Sequence, residues 1–404
     1  MSGFGFQRDS RQRMSFDRPR VAYVTPYSYP EANATSQRIS QTVQILKLAG
    51  GSVRVGCGSA GDGSTQGPCE SVTRLNEQRS GWWSRKVAPL WWGAKTVEWL
   101  ASLTPPPDVV LQYGGFSVYT ERVIKFCKAR RLPMMVDVVE WYQARHLPGG
   151  PLGPYAMSNE VAMRVVYPAA RNIITISKYL ERFYEDRGCN VCRIPPTVDV
   201  RALAPRLEEQ RNTPCTFVYA GFPGRKERLE SLARAVYQLD PAGRHVRLRI
   251  VGPSAAEVYR LVGCRKLGLS SLPEWIEALG PMSTAQATAV IRDGTFTVML
   301  RPFERYAMAG FPSKVPESLA LGTPVLCTLT SDLGEYIQDG REGIVVSSLG
   351  EEAIGAAVDR ILSLSAGQLS EMREAARRRA VESFDAPLYL ESMRHFEQSL
   401  LTIQ

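Results

Sequence analysis

The chain has 404 residues with a formal net charge of +9 at pH 7; 44% of the residues are hydrophobic and 22% are charged. This length allows two domains that each bury a sizeable core, and the composition is that of a soluble globular protein. No apolar run approaches the ~20 residues of a membrane-spanning helix, and residues 1–20 lack the apolar segment of a signal peptide. The positive charge favours acidic partners, namely nucleotide diphosphates, anionic lipid surfaces or nucleic acid.

The eight cysteines are scattered, and several of them fall in predicted core strands. This usage is typical of reduced thiols in a cytoplasmic protein. Cys189 and Cys192 have the spacing of half a zinc site, but no second cysteine or histidine pair has a matching spacing. The sequence therefore predicts unpaired thiols and no metal site.

The beginning of the chain predicts a parallel sheet. Residues 1–19 are expected to form a flexible basic arm, followed by strands at 20–25 and 52–56 around an amphipathic helix at 35–48. The first loop lacks the G-x-G-x-x-G fingerprint, which argues against a nicotinamide enzyme. Its polar residues are candidate ligand contacts, although a solvated loop with a helix cap fits them equally well: Asn33, Thr35 and Arg38.

Residues 81–103 hold five of the seven tryptophans, interleaved with Arg85, Lys86 and Lys95. A helical stripe through positions 83, 87, 90/91 and 94 would make these tryptophans the core face of one helix. Paired tryptophans cannot all point one way, so a contact of residues 81–103 with a membrane surface or an acceptor is the second interpretation.

Two further strands end in candidate site residues. The strand at 108–112 is followed by Gly114 and Gly115, at the strand end where open α/β sheets place ligands. The strand at 133–139 is followed by Glu140, a carboxylate that could act as a general base. Asp137 lies on the opposite side of the strand, so at most one of the two acids faces the site, and we favour Glu140. A solvated loop acid is the alternative.

The second half of the chain repeats the strand–helix pattern. Proline and charge rise near 202–214, which predicts a boundary between a domain at 20–205 and a domain at 206–385. In the second domain a loop with Arg225 and Lys226 leads into a helix at 229–239. Basic residues at a helix start oppose the helix dipole, so a bound anion would explain them. The loop lacks the G-K-[ST] signature of a Walker A motif.

Residues 301–325 predict a loop, a helix at 315–321 and a strand at 324–327. Ser313 has the hydroxyl expected of a helix cap, and unpaired amides at a helix start suit a phosphate. Lys314 adds a mobile cation there. Glu317, one turn into the helix, can accept two hydrogen bonds from a sugar diol.

The segment FPSKVPESLALGTPV resembles the nucleotide-sugar motif of glycosyltransferase family 4, a large group of retaining transferases. The resemblance implies a GT-B fold, that is, two Rossmann-like parallel-sheet domains facing across a cleft, with residues 386–404 crossing back to the first domain. It implies that Glu317 binds the donor ribose and that DVVEWY places Glu140 at the reaction centre. Further implied contacts are the diphosphate with Arg225, Lys226, Ser313, Lys314 and Val315, and the base with the loop of Pro281 and Met282. One departure is Ala309, where the family has an acidic residue; Glu304 lies five residues earlier.

The implied reaction moves a sugar from a nucleotide-diphosphate sugar, with a UDP or GDP donor, to a glycan, lipid-linked or small-molecule acceptor with retention of configuration. No metal or cofactor is expected, because the cations and the helix dipole can neutralise the diphosphate. The expected location is the cytoplasm or the inner face of a membrane. A catalytically silent nucleotide-sugar-binding scaffold is the alternative, motivated by Ala309. A nucleic-acid binder, motivated by the charge of +9, has no recognised module to support it.

Overall fold

The computed structural model describes residues 18–31, 33–58, 68–77, 92–208, 214–222, 226–400 and 402. Three predictions therefore concern residues outside this part of the chain: the basic arm up to residue 17, residues 81–91 of the tryptophan-rich segment, and the phosphate contact of Arg225. Among the described residues, no helix combines the length and the apolar character needed to cross a bilayer.

Seven strands of the described chain form a parallel sheet in the order β3-β2-β1-β4-β5-β6-β7. Central strands such as VVLQY and MMVDV are buried along their whole length, because helices cover both faces of a parallel sheet. The strands are β1 (Arg20–Thr25), β2 (Ser52–Cys57), β3 (Ser71–Arg74), β4 (Val109–Tyr113), β5 (Met134–Val138), β6 (Asn172–Thr175) and β7 (Asn190–Arg193).

The helices of this first unit are α1 (Ala34–Leu48), α2 (Ala94–Ser102), α3 (Ser117–Arg130), α4 (Pro154–Val161), α5 (Tyr167–Ala170) and α6 (Lys178–Glu185). A π-helical turn, Ala162–Val166, joins α4 to α5, and short 3-10 turns lie at Ala144–His146 and Gly150–Leu152. In the tryptophan-rich segment, the described Trp92 and Trp99 pack against the core.

A second parallel sheet of the described chain has the order β10-β9-β8-β11-β12-β13. Its strands are β8 (Cys215–Ala220), β9 (Val246–Val251), β10 (Ile276–Gly280), β11 (Phe296–Met299), β12 (Val325–Cys327) and β13 (Gly343–Val345). Its helices are α7 (Leu229–Leu239), α8 (Ala255–Leu261), α9 (Thr284–Asp293), α10 (Arg305–Ala309), α11 (Lys314–Ala320), α12 (Leu333–Tyr336), α13 (Glu351–Ser363) and α14 (Ala366–Ser383). Further 3-10 turns are Val200–Ala202, Cys264–Leu267 and Ala386–Tyr389.

The carboxyl ends of the two sheets face each other across a cleft. Ser177, after β6, donates to the carbonyl of Ala309 at 2.6 Å, and the amide of Lys178 donates to Asp332, after β12, at 2.9 Å. Arg305 forms an ion pair of 2.6 Å with Glu160 of α4. Ligands of open α/β sheets bind beyond the carboxyl ends of the strands, so both sheets direct their ligand-binding edges into one cleft.

The chain ends on the first unit. Helix α15 (Leu390–Gln398) and the turn before it pack against α1 and β7. Met393 and Phe396 are buried there in the same core cluster as β1 and β2. Burial of such a side chain is worth about 1.5–3 kcal/mol, so this helix ties the end of the chain to its beginning.

Glu397 gives this helix a pH-dependent stability. The residue is 3% exposed, and burial raises the pKa of its carboxyl to about 7 despite the nearby Arg394. The neutral carboxyl therefore stabilises the fold below the ordinary pKa of 4.5, and this stability is lost as the pH rises through 7. We expect Glu397→Gln to raise the free energy of unfolding at about pH 8 by up to about 3 kcal/mol, and far less at about pH 5.

Urea unfolding of the parent and the variant at both pH values measures this effect. Glu391→Gln, at an exposed position of the same helix, is the control and should change little at either pH. If the parent and Glu397→Gln show the same pH dependence, the carboxyl is not neutral in the fold.

Candidate active site

Helix α11 forms one wall of the cleft with the loop before it. The predicted cap at Ser313 is wrong: the residue has helical dihedrals, φ −59° and ψ −18°, and makes no side-chain cap bond. A capping hydroxyl needs an extended backbone, which Ser313 lacks. The Val315 side chain is fully buried and its amide donates to the carbonyl of Pro312 at 3.0 Å. A phosphate contact of that amide would therefore have to replace an existing hydrogen bond.

Glu317 is held in place from both sides. One carboxylate oxygen accepts a hydrogen bond of 2.9 Å from Thr288 of α9, and the other lies 2.8 Å from the Lys314 ammonium. The residue is 8% exposed, so its carboxylate is fixed at the cleft wall with few alternative positions. Two oxygens in a fixed orientation are the arrangement that recognition of a vicinal diol requires.

Lys226 brings the second basic element into the cleft. Its ammonium forms an ion pair with Glu140 of the opposite unit and lies 5.4 Å from the centre of the Tyr142 ring. Its carbonyl accepts a hydrogen bond of 2.9 Å from Tyr306, which fixes the backbone of the loop. The structure therefore joins the predicted phosphate ligand and the predicted catalytic acid directly, although they are 86 residues apart.

Glu140 follows β5 at the bottom of the cleft, with its side chain 18% exposed. Gly310 of the loop before α11 lies against it, since a Cβ on Gly310 would be 4.0 Å from Cγ of Glu140. The negative charge of Glu140, together with burial, raises the pKa of the neighbouring Tyr142 well above its ordinary value. The carboxylate of Asp137 is fully buried and is held by Arg38 at 2.8 Å.

For Arg38 the structure favours a structural role over the candidate ligand contact. Besides the ion pair with Asp137, its guanidinium donates to the carbonyl oxygens of Ile194 and Pro195 at 2.8 and 3.2 Å, and it is 5% exposed. Through these bonds Arg38 holds α1 against β5 and against the segment that follows β7. Asn33 caps α1, accepting from the amide of Ser36 at 2.9 Å, as the helix-cap interpretation describes.

The two glycines after β4 shape the edge of the cleft. Gly114 and Gly115 have φ values of +60° and +98°, and a Cβ on either would lie within 2.7 Å of the ring of Tyr27 or Tyr119. Only glycine fits both the backbone conformation and the space. They line a small pocket together with Glu140 and Tyr113, and Thr35 lies near the hydroxyl of Tyr113.

The predicted base loop follows β10. Pro281 is exposed, while Met282 is half-buried against a small apolar cluster beside β8. Gly280 precedes them with a φ of +69°, and Ser283 caps α9 after them. The loop therefore presents Pro281 at the edge of the second sheet, just before the helix that carries Thr288.

Sequence reasoning missed a buried ion pair beside Lys226. Arg301, which follows β11, binds Glu227 at 2.5 Å, and the carboxylate side chain is 2% exposed. Burial raises the pKa of Glu227, partly offset by Arg301, and its second oxygen has no hydrogen-bond partner among the described residues. An arginine directly after an apolar strand was the signal, because that position faces the cleft in a parallel sheet.

His146 is a second missed residue. Both of its ring nitrogens are buried without a hydrogen-bond partner in the described chain, and its ring contacts that of Tyr306 at 4.9 Å. Burial lowers its pKa, and the charges of Arg145 and Lys226 lower it further, so the imidazole is neutral at pH 7. The sequence offered no signal, since His146 stands alone among loop residues.

Ala309, at the position where the resembled family has an acidic residue, does not reach solvent. Its carbonyl accepts from Ser177 of the first unit. Glu304 does not take over this position, because it forms an ion pair with Arg145 at the cleft edge. Among the described residues no cluster of three or more histidine, cysteine or acidic side chains could hold a metal ion.

The second unit matches a known family. The model of the family described as glycosyl transferases group 1 matches residues 201–364, which include Lys226, Arg301 and Glu317. The second unit is therefore similar to the glycosyl transferases of group 1. No curated protein resembles the chain in sequence at a significant level.

Solved structures share its GT-B fold, as predicted. Sucrose-phosphate synthase from Thermosynechococcus elongatus has a TM-score of 0.72 at 16% identity, covering 94% of this chain and 98% of that one. HepE from Anabaena, in complex with UDP and glucose, has a TM-score of 0.69 at 13% identity and 95% and 100% coverage. WaaG, a glycosyltransferase involved in lipopolysaccharide biosynthesis, has a TM-score of 0.64 at 15% identity and 94% and 98% coverage.

Proposed function

We propose that this protein is a glycosyltransferase that moves a sugar from a UDP-sugar to a hydroxyl acceptor with retention of configuration. The main support is the ion pair between Lys226 and Glu140, because it brings together the cation proposed to bind the diphosphate and the acid proposed to act on the sugar. The choice of UDP rests on the structural relatives, since HepE is described in complexes with UDP and glucose and with UDP-glucose.

The diphosphate would lie between the loop of Lys226 and the start of α11. There Lys226 and Lys314 would form ion pairs with the phosphate oxygens, and Arg301 would add to the positive electrostatic potential of the site. Cations held in a water-poor cleft stabilise the charge that forms on the leaving UDP, and such preorganised groups are the largest catalytic contribution in many enzymes. The proposed chemistry needs no metal or cofactor, because these side chains supply the positive charge.

Glu317 would hold the ribose. In the ligand-free cleft its oxygens accept from Thr288 and Lys314. A phosphate that draws Lys314 away frees one oxygen, and the oxygen bonded to Thr288 can accept a second hydrogen bond, so both oxygens remain for the ribose diol. Both parts of UDP would then be recognised by the same helix.

Glu140 would act on the sugar. When the diphosphate takes over Lys226, the carboxylate loses its partner at the position where the sugar and the acceptor meet. A free carboxylate there can accept the proton of the acceptor hydroxyl or stabilise an oxocarbenium-like transition state. The acceptor would be a glycan or a lipid-linked molecule entering along the first unit.

Product analysis tests this function. The protein is incubated with a panel of UDP-sugars and with saccharide, lipid-linked saccharide and simple alcohol acceptors, and NMR identifies the anomeric configuration of each glycoside formed. We expect an α-glycoside from an α-linked donor. A β-glycoside contradicts retention, and nucleotide binding without any product favours the silent scaffold, which the buried position of Ala309 motivates.

A further inference from the structure

The outer side of helix α4 and of the π-helical turn after it is apolar. Leu152, Met157, Val161 and Val165 are 93%, 65%, 46% and 63% exposed. The last three follow a spacing of four residues, so they form one stripe along the helix. The inner side carries Ala156, Asn159, Ala162 and Met163, so apolar residues lie on both sides of this segment. A surface helix normally exposes polar residues, and exposed apolar surface of this kind marks an interaction site.

Helix α3 lies beside this stripe. It packs against α4, the π-helical turn and α5, and buried apolar residues of α3, of the turn and of α5 belong to one core cluster. The start of α3 is tied to α4 by a hydrogen bond of 2.7 Å between Ser117 and Ser158. The exposed sides of these helices therefore form one continuous surface, which we name the α3–α4 face.

The α3–α4 face is basic as well as apolar. Its exposed cationic side chains are Lys125, Lys128, Arg130, Arg131, Arg164 and Arg171. Two acidic residues accompany them: Glu121 pairs with Lys125, and Glu160 pairs with Arg164 and Arg305. A surplus of cations around an apolar stripe is the composition that binds the interface of an anionic bilayer.

We propose that the α3–α4 face docks this protein on an anionic lipid bilayer. The apolar stripe enters the boundary between headgroups and acyl chains, and the cations contact the lipid phosphates. A second copy of the chain fits less well, because a symmetric contact through this face would bring the two sets of cations together. The net charge of +9 acts in the same direction, attracting the protein to anionic lipid.

The face is continuous with the cleft. Glu160, the residue before Val161, accepts a hydrogen bond of 2.9 Å from Trp141, the residue after Glu140. Glu160 also forms the ion pair with Arg305 across the cleft. A bilayer on this face would thus lie beside the cleft and its acceptor side, which suits a lipid-linked acceptor. That last step alone rests on the proposed function, since docking requires no turnover.

Vesicle flotation tests the docking. The full chain is mixed with phosphatidylcholine vesicles with and without phosphatidylglycerol, and the Met157→Ser, Val161→Ser, Val165→Ser triple variant is compared with a control. The control is Leu239→Ser with Val381→Ser, two exposed apolar positions of the second unit. We expect the parent and the control to float with the anionic vesicles, and the triple variant to bind about tenfold more weakly or less. Lys125→Gln with Lys128→Gln should weaken binding to anionic vesicles only, and added salt should do the same.

Circular dichroism and UDP-induced stabilisation check that each variant is folded, so a failure of docking is separable from a failure of the proposed function. The proposal is overturned if the parent does not bind anionic vesicles, or if the triple variant binds as the parent does. It is also overturned if binding is lost only on Trp82→Ala with Trp83→Ala, or if the triple variant abolishes a parental dimer in solution instead.

Discussion

Replacing Lys226 with alanine is expected to lower kcat/KM for the sugar donor by about 10²–10³-fold, the loss seen when one preorganised charge-stabilising donor is removed. In the structure this ammonium lies between the two units, opposite Glu140, and its loop is fixed by Tyr306. Because the leaving diphosphate gains charge in the transition state, the loss should appear in kcat as well as in UDP affinity. Lys226→Arg should recover part of the activity, since the guanidinium keeps the charge.

Steady-state kinetics with a saturating acceptor measure this loss. Lys266→Ala is a matched control, because Lys266 also pairs with a glutamate, Glu230, and its removal changes the net charge equally on an exposed surface. Parental kcat/KM in Lys226→Ala would remove Lys226 from the proposed diphosphate site.

Replacing Glu140 with glutamine should move binding and turnover in opposite directions. In the ligand-free cleft Glu140 competes with a diphosphate for Lys226, so removing its charge should tighten UDP binding about fivefold, the upper range for a partly exposed ion pair. The same change removes the carboxylate proposed to act on the acceptor or the sugar, and should lower kcat about 10²–10⁴-fold. An acid with a purely structural role would not separate the two quantities in this way.

Titration calorimetry with UDP and initial-rate kinetics provide the two readouts. Glu304→Gln is the control, because Glu304 also bridges the cleft, to Arg145, and its loss reports the effect of a looser cleft alone. If Glu140→Gln weakens UDP binding, or leaves kcat unchanged, Glu140 has neither the competing nor the catalytic role.

The strands were predictable because their sequences are continuous apolar runs. The predicted strands at 108–112 and 133–139 lie within one or two residues of β4 and β5, since burial on both faces needs such runs. Helix α4 was not predicted. Its buried side holds Ala156 and Asn159 while Met157 and Val161 are exposed, so its pattern gives no apolar inner stripe for periodicity to detect.

Contacts within the site could be predicted from the sequence only where the two residues lie close together in the chain. Lys314 and Glu317 lie one turn apart, and their proximity follows from helical spacing. Arg38 seemed to be a loop contact because its partner, Asp137, lies 99 residues away and no local pattern indicates their ion pair. The pairing of Arg301 with Glu227 was missed for the same reason, since only the tertiary structure brings β11 beside the loop after β8.

The most direct test of the account is a thermal-shift series with UDP, GDP, ADP, dTDP and CMP, on the parent and on Lys226→Ala and Glu317→Ala. A ligand at one hundred times its dissociation constant stabilises a fold by about 2.7 kcal/mol, which is readily measured. We expect UDP to raise the unfolding temperature of the parent and to have little effect on that of either variant. If no nucleotide stabilises the parent, or if the variants respond as the parent does, the cleft between Lys226 and Glu317 is not the donor site.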